Sequence, residues 1–372
     1  MGKSTKQIKE KIPISGICEY LKNAGKTILL LILLPPMLNY GGLKKEREYF
    51  QSNAILFDIG FGQQLYMNCT GVGTPTVILD APTGSSSDVW LRLQKELSSI
   101  STVCVYDRAG LGLSDVPRQL NASDPGEGAV LRALGPESTV VRMVSDLHRL
   151  VTFATPRQRP FLLVGAELGG AVVQTYSHLH PQDVAGLILI NPLHSSLLHI
   201  PATNTGKQDG DESPWLNYWF NHLILSYRLL QISAMMGLNR LGFLAGQLNL
   251  PNISDDEDVI ARQKHQVCDP FHVQAVIDEY RSIGISLNQV DEISNKWILP
   301  TNISVSVIRS SMVESGLEPE MTGILDKSVQ NLVNSLPGSE FIDLRSSQSS
   351  IYSSKALGDE IKKTLEKIQQ KI

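Results

Sequence analysis

The chain has 372 residues, of which 42% are hydrophobic and 19% charged, so it can form one large domain with insertions or two small domains. A formal net charge of −4 gives no indication of nucleic-acid binding. The four cysteines show no C-x-x-C spacing, and with only eight histidines we expect neither a metal site nor a redox dithiol. Cys69 and Cys104 fall in apolar runs, and we interpret them as small buried hydrophobic residues.

The first 45 residues form a basic segment with a short membrane-anchor candidate at residues 27–38. Its most apolar part, 28–38, has about half of the roughly 20 residues that a membrane span requires. Pro35 and Pro36 are expected to interrupt a helix there. Two interpretations stay open. The segment is either a short uncleaved anchor or signal-like sequence, or a helix that lies in a membrane interface or packs on the protein's own surface.

Four N-x-S/T sequons, at Asn68, Asn121, Asn252 and Asn302, bear on the location of the protein. Such triplets are glycosylation acceptors in secreted chains, but they also arise by chance, so they favour a lumenal location only modestly. Together with the apolar segment they predict a membrane-associated protein of the endoplasmic reticulum or secretory pathway, and a candidate glycoprotein.

Short apolar runs alternate with helical patterns along the rest of the chain. The alternation at residues 64–69 predicts a half-buried strand. Short apolar runs predict strands at 76–79, 103–106, 161–164, 187–190, 303–308 and 341–344. Several are apolar throughout, which suits a parallel sheet covered on both faces. Helical periodicity occurs at 89–97, 137–153, 168–178 and 355–372. This order is typical of an α/β protein with a doubly wound, mostly parallel sheet.

Residues 193–297 break this alternation, because they carry helical periodicity and no clear strand. An insertion on the carboxyl side of such a sheet would cover the crevice there. We therefore expect a first core part at 50–192, a helical cap at 193–297 and a second core part at 298–372.

Three segments in this order carry a family resemblance: VILDAPTGSSSDVW at 77–90, VYDRAGLGLSD at 105–115 and LVGAELGG at 163–170. Each is a strand followed by a turn, and the first and third turns lead into a helix. From about residue 57 to its end, the chain resembles the α/β-hydrolase superfamily. The resemblance implies an eight-stranded, mostly parallel sheet with helices on both faces and a helical cap.

The resemblance also implies a nucleophile at the glycine-flanked turn, where this chain has Glu167 in place of serine. In members with aspartate there, the carboxylate attacks the substrate. Glutamate is one methylene longer, and a misplacement of about 1 Å costs about a hundredfold in rate. The implied oxyanion donors are the amides of Leu168 and Thr83. Asp107 and Arg108 are expected to hold their turn as a structural pair.

The remaining catalytic roles lack suitable residues. The family's histidine follows the last strand, where this chain has Gln348, and no histidine occurs after His272. An amide cannot carry a proton near neutral pH. The position of the acid offers Glu314 or Asn191, and His194 is a weak alternative base.

These residues predict a membrane-associated pseudoenzyme with impaired catalysis and a retained pocket for an apolar or lipid-like ligand or a protein partner. In it, the Glu167 carboxylate would occupy its own oxyanion hole. The alternative is an active hydrolase of ester, lipid or epoxide substrates that uses Glu167 or an unrecognised nucleophile, and a structural or adhesion role comes third. We expect no cofactor, no metal and no nucleic-acid partner, and we expect membrane contact through residues 27–38.

Overall fold

A central eight-stranded sheet organises the chain. The computed structural model describes residues 14–60, 62–117, 138–154, 159–199, 213–250, 256–312, 319–336, 338–347 and 351–370. The strands lie in the order β1-β2-β4-β3-β5-β6-β7-β8. They are β1 (Leu56–Asp58), β2 (Gln64–Thr70), β3 (Thr76–Asp80), β4 (Val103–Tyr106), β5 (Phe161–Ala166), β6 (Val184–Ile190), β7 (Ser304–Met312) and β8 (Glu340–Ser347).

Only β2 runs against the rest of the sheet, and β1 has the same direction as β3 to β8. β1 pairs antiparallel with β2, and β2 pairs antiparallel with β4. From β4 onward all neighbouring strands are parallel. The predicted mostly parallel sheet of eight strands is therefore confirmed. The carboxyl ends of β3, β5, β6 and β7 meet at one edge, where a site can form.

Helices cover both faces of the sheet, as predicted. They are α1 (Ile14–Asn53), α2 (Leu91–Leu97), α3 (Val140–Phe153), α4 (Leu168–Leu179), α5 (Pro214–Tyr218), α6 (Ile224–Met235), α7 (Leu238–Leu244), α8 (Glu257–Cys268), α9 (Pro270–Lys296), α10 (Pro319–Ser335) and α11 (Lys355–Gln369). One core cluster joins the sheet to α3, α4 and α9, and a second joins it to α2 and α11. Between β6 and β7 the described residues are mainly helical and cover the carboxyl edge.

Helix α1 corrects one expectation from the sequence. It runs unbroken through Pro35 and Pro36, which we expected to interrupt it. Its apolar residues from Ile28 to Leu34 are exposed. Among the described residues, the stretch Lys22–Asn53 of this helix is long and apolar enough to cross a membrane.

The second half of α1 packs on the helical insertion. The Asn39 amide donates to the carbonyl oxygens of Ala234 and Cys268 at 2.9 and 3.0 Å. Arg240 forms an ion pair with Glu46 at 2.5 Å. One half of the helix is therefore an exposed apolar segment, and the other half packs on the protein's own surface.

Cys69 and Cys104 form a disulfide, so our interpretation of them as separate buried hydrophobic residues is wrong. They lie directly opposite each other because β2 pairs with β4 in that register. Disulfides persist mainly in oxidising compartments, which include the secretory pathway.

Candidate active site at the β5–α4 turn

Glu167 occupies the sharp turn between β5 and α4. Its backbone has φ +48° and ψ −114°, a conformation that few residues other than glycine adopt. A Cβ atom on Gly165 would lie 2.3 Å from the Gly169 carbonyl oxygen, and one on Gly169 would lie 2.5 Å from that of Ala81. The turn therefore requires both flanking glycines, as the sequence predicts. Leu168 follows as the first residue of α4 and is fully buried.

The carboxylate of Glu167 is held on both of its oxygens. The Thr83 amide donates to Oε2 at 3.3 Å, and the Tyr352 hydroxyl donates to Oε1 at 3.1 Å. Thr83 is the residue that the family resemblance names as an oxyanion donor, so the two predicted residues do meet. Tyr352 is a contact that sequence reasoning missed.

A cavity of about 350 Å³ opens beside Glu167. The strand-end loops form its floor, and α5, α6, α9 and α10 form its walls. It is lined by Pro82, Thr83, Ser85, Glu167, Asn191, Pro192, Leu193, Trp215, Tyr218, Trp219, Leu223, Tyr227, Tyr280, Ile283, Arg309, Ser310, Thr322, Leu325, Asp326, Val329 and Tyr352. Thirteen of these 21 residues are aromatic or aliphatic and the other eight are polar or charged, so the lining suits a ligand with both an apolar and a polar part.

Three buried polar atoms of the lining have no hydrogen-bond partner among the described residues: Thr83 Oγ1, Asn191 Nδ2 and Trp215 Nε1. Buried polar groups in proteins are nearly always satisfied, so these atoms are suited to a ligand or to water. Two of the three can only donate, which favours a ligand group with acceptor oxygens.

Two cavity tyrosines lie near the Glu167 carboxylate. The rings of Tyr227 and Tyr280 stack with centroids 5.5 Å apart. Burial raises the pKa of both hydroxyls, and the negative charge of Glu167 raises them further. Both therefore stay protonated and can act as hydrogen-bond donors near neutral pH.

Asp107 and Arg108 do not pair with each other, which corrects the sequence prediction. The Asp107 carboxylate accepts hydrogen bonds from the backbone amides of Ser87 and Leu113. Burial raises the pKa of Asp107 to about 6, against the opposing effect of these hydrogen bonds. Asp107 thus holds its turn through the backbone.

Arg108 instead joins the loop after β3 to helix α9. It forms buried ion pairs with Asp80 at 2.5 Å and with Glu279 at 2.7 Å. It also donates to the carbonyl oxygens of residues 81 and 82 in that loop. Glu279 in turn accepts from the Gly84 amide at 2.7 Å. This network fixes the segment that carries the Thr83 amide. Sequence reasoning missed Glu279, although an acidic residue on an otherwise apolar helix face indicates a buried ion pair.

The structure describes all eight histidines, and none of them lines the cavity. His194, the weak alternative base, caps a short 3₁₀ turn, where its Nδ1 contacts the Ser196 hydroxyl at 2.9 Å. Burial lowers its pKa. Gln348 and Glu314 lie outside the described residues. At the other acid position, Asn191 accepts from the Ser310 amide at 2.8 Å and offers an amide in place of a carboxylate.

A cluster of three potential metal ligands lies at the opposite end of α4 from Glu167. The nearest ligand atoms of His148, His180 and Asp183 lie within 4.8 Å of one another. The two imidazole rings stack face to face at 3.9 Å, so their in-plane lone pairs do not converge on one ion. Asp183 already accepts hydrogen bonds from Arg159 and Tyr176. This arrangement does not favour a metal site.

His272 makes the stability of the fold sensitive to pH. Burial lowers the pKa of its ring to about 4. The unfolded value is about 6.5, so between these two values the unfolded chain binds more protons than the folded chain, and stability falls as the pH drops. We expect the wild type to lose up to about 3 kcal/mol of unfolding free energy relative to His272→Asn between pH 6.5 and 4.

Urea unfolding of both proteins at a series of pH values measures this loss. His199→Asn is the matched control because His199 is exposed, and its difference from the wild type should stay nearly constant with pH. A constant difference for His272→Asn as well would contradict the prediction.

Comparisons with known proteins agree with this geometry. A model of the α/β-hydrolase fold family matches residues 70–226. Among curated proteins, the monoacylglycerol lipase ABHD6 of Rattus norvegicus is 26% identical over 119 residues, which are 32% of this chain and 30% of that protein. An uncharacterized vacuolar membrane protein of Saccharomyces cerevisiae is 27% identical over 135 residues, 35% of this chain and 18% of that protein. The matches thus span less than a third of either relative.

Solved structures resemble nearly the whole chain. Cfl2 of Burkholderia cenocepacia aligns with a TM-score of 0.53 at 18% identity, over 83% of this chain and 94% of that one. The enol-lactonase of Burkholderia xenovorans aligns with a TM-score of 0.50 at 14% identity, over 84% and 99%. At this identity the likeness concerns the fold alone. Strand order, glycine-flanked turn and the match over residues 70–226 agree, and the chain has the α/β-hydrolase fold.

Proposed function

We propose that this is a membrane-associated α/β-hydrolase-fold protein that binds an apolar or lipid-like ligand in the cavity beside Glu167 without hydrolysing it. The helical insertion predicted at residues 193–297 is the cap over that cavity. A protein partner at the same surface is the second mode of use that the sequence leaves open.

The contacts of the Glu167 carboxylate are the main support for this proposal. Acyl transfer on this fold needs a nucleophile that a histidine activates, followed by a base that activates water. The Glu167 carboxylate contacts the Thr83 amide and the Tyr352 hydroxyl, and no histidine lines the cavity. A carboxylate can attack without a base, which gives an ester from an epoxide and an anhydride from an ester. Hydrolysis of that intermediate requires a base that activates water.

The same contacts favour a blocked oxyanion hole. In an acyl-transfer enzyme the amide at the position of Thr83 would stabilise the charge that develops on a substrate oxygen. Here that amide already donates to a resident carboxylate. A substrate carbonyl would have to displace a charged group that is covalently part of the protein, so the hole cannot serve catalysis in this state.

The cavity lining supports the ligand class. Trp215 and Trp219 provide a large apolar surface, which suits an acyl or other hydrocarbon chain. The donors on Asn191 and Trp215, together with the Thr83 hydroxyl, suit carbonyl or hydroxyl oxygens at the polar end of that ligand. An amphipathic molecule of the size of a monoacyl lipid headgroup with part of its chain combines both properties.

Location in the endoplasmic reticulum or secretory pathway is part of the proposal. The exposed apolar half of α1 supports membrane association, as does the membrane location in the name of the yeast relative. The Cys69–Cys104 disulfide supports an oxidising compartment. The sequon at Asn302 lies on an exposed turn before β7, where a glycan can be accommodated.

One observation favours the alternative of an active hydrolase. Tyr227 and Tyr280 lie near the Glu167 carboxylate, and their hydroxyls could protonate an oxygen that leaves during carboxylate attack on an epoxide or ester. This alternative makes a distinct prediction, because every turnover would then depend on Glu167.

The test compares the wild type with Glu167→Ala and Glu167→Ser. We expect ester and epoxide hydrolysis at the buffer background for all three proteins, and no reaction of the wild type with a fluorophosphonate probe. Turnover by the wild type that Glu167→Ala abolishes would overturn the proposal in favour of the active hydrolase.

Ligand binding is measured with a fluorescent monoacylglycerol analogue. We expect Val329→Trp, which fills the cavity, to weaken binding by about tenfold or more, equal to about 1.4 kcal/mol. Val72→Trp, on an exposed loop far from the cavity, is the control and should bind like the wild type. Equal binding by both variants would place the ligand elsewhere.

A further inference from the structure

The outward side of helices α6 and α7 is unusually apolar for a surface in water. Large hydrophobic side chains there are between 37% and 77% exposed. We call this surface the cap outer face and define it by Leu225, Leu229, Ile232, Met236, Leu241 and Leu244. Exposed apolar patches of this extent mark sites of interaction with a protein or a membrane.

The spacing and the charge of these residues show a continuous surface. Residues 225, 229, 232 and 236 recur at intervals of four, three and four, so they form one stripe along α6. The 37 residues from 214 to 250 contain two charged side chains, Arg228 and Arg240, and no acidic one. Arg228 bonds to glutamine side chains and Arg240 to Glu46. Covering this face would therefore desolvate little charge.

The cap outer face continues directly into the exposed half of α1. A Cβ atom on Gly237 would lie only 2.3 Å from the carbonyl oxygen of Pro35. Helix α1 therefore crosses the α6–α7 turn in close contact. Asn39 fixes the same crossing through Ala234. Leu34, at the end of the uninterrupted exposed run from Ile28, lies only about 8 Å along the helix from Asn39.

The length of that apolar stretch gives a reason for a second contact. Residues 28–38 span about 16 Å as a helix, roughly half of the hydrocarbon thickness of about 30 Å. Although Lys22–Asn53 is long enough to cross a membrane, α1 packs on the helical insertion from Asn39 onward, so the apolar part before it embeds in one leaflet. Such a segment attaches the protein firmly to the membrane only if a second apolar surface of the protein enters the lipid at the same depth.

We propose that the cap outer face docks on the same lipid bilayer that α1 enters, so that the cap and the anchor form one membrane-binding surface. This rests on the membrane association in the proposed function and adds where the folded domain meets the lipid. Continuity with α1 favours a bilayer over a second protein, because lipid that surrounds residues 28–34 must also adjoin the α6–α7 turn.

The docked orientation brings the cavity close to the lipid. Helix α6 presents Tyr227 to the cavity, while Leu225 and Leu229 face outward. The wall between the cavity and the bilayer is then one helix thick. A lipid-like ligand would reach the cavity from the membrane without crossing water.

The test uses the full chain in phosphatidylcholine vesicles, with an environment-sensitive fluorophore on a cysteine introduced by Leu229→Cys or Leu244→Cys. Both residues are exposed, so neither substitution disturbs the core. Val72→Cys, which is 92% exposed on the loop after β2, is the matched control. The wild type treated with the same reagent gives the labelling background of the native cysteines, which include Cys18 and Cys268.

We expect vesicles to shift the emission of both cap labels to the blue, to abolish their quenching by iodide and to make them quenchable by spin-labelled lipid. The Val72→Cys label should keep its iodide quenching. Cap labels that iodide still quenches as freely as the control would overturn the proposal. Cap labels that neither iodide nor spin-labelled lipid quenches would also overturn the proposal, because a second copy of the chain would then cover the cap outer face. Binding of the monoacylglycerol analogue in detergent is measured separately, so loss of docking and loss of the cavity function are distinguishable.

Discussion

We expect Arg108→Met to lower the free energy of unfolding by about 3–5 kcal/mol, because it leaves two buried carboxylates without their cation. The Arg108 guanidinium contacts Asp80 and Glu279, and all three side chains are about 3% exposed or less. Methionine keeps most of the volume of the arginine stem, so the loss measures charge and hydrogen bonds more than packing. Urea unfolding monitored by tryptophan fluorescence gives the difference.

Two further variants separate the network from a general effect of removing an arginine. Arg47→Met removes an exposed ion pair with Asp115, 3.4 Å long, and should change the free energy of unfolding by less than about 1 kcal/mol. Adding Glu279→Gln to Arg108→Met removes one of the stranded charges and should recover part of the loss. Equal effects of Arg108→Met and Arg47→Met would mean that the buried network contributes no special stability.

The sequence could predict the sheet because the signals for its strands are local. The strands β3, β4 and β5 are buried at every position, and among them only the terminal Thr76 and Asp80 of β3 are polar. A parallel strand covered on both faces needs such a composition. The glycines at 165 and 169 were predictable for the same reason, since the turn excludes a Cβ whatever the rest of the fold does. The three-residue strand β1 is too short to show a periodic pattern.

The contacts within the site were not predictable, because they join residues far apart in the chain. Tyr352 reaches Glu167 across 185 positions, and Glu279 reaches Arg108 across 171. Their meeting depends on how α9 crosses the carboxyl edge of the sheet and on the path of the chain after β8. The family resemblance could predict Thr83 as an oxyanion donor because the loop after β3 has a fixed position in that fold.

Helix α1 shows how tertiary contacts override a local preference. Pro35 removes one backbone hydrogen bond, and a helix in water would bend or end there. In this chain the backbone of Pro35 packs against Gly237, and Asn39 ties the next turn to α6. Packing thus stabilises a helix that the local sequence alone would end.

The second large effect on the free energy of unfolding is expected from loss of the Cys69–Cys104 disulfide. Replacement of both Cys69 and Cys104 by alanine is expected to lower the free energy of unfolding by about 4 kcal/mol, because the cross-link closes a loop of 35 residues in the unfolded chain. That loop contains β3 and Thr83, so the oxyanion-donor segment lies within the constrained part. Its pairing could not be read from the spacing of the cysteines, since only the placement of β4 between β2 and β3 brings them together.

Urea unfolding with and without a reductant tests the cross-link itself. The reductant should lower the stability of the wild type to near that of the double variant and leave the double variant unchanged. Cys268→Ala is the control, since Cys268 is buried and unpaired and its loss should leave the response to reductant intact. A wild type whose stability is indifferent to reductant would show that the two thiols are not joined, and it would remove the disulfide as support for an oxidising compartment.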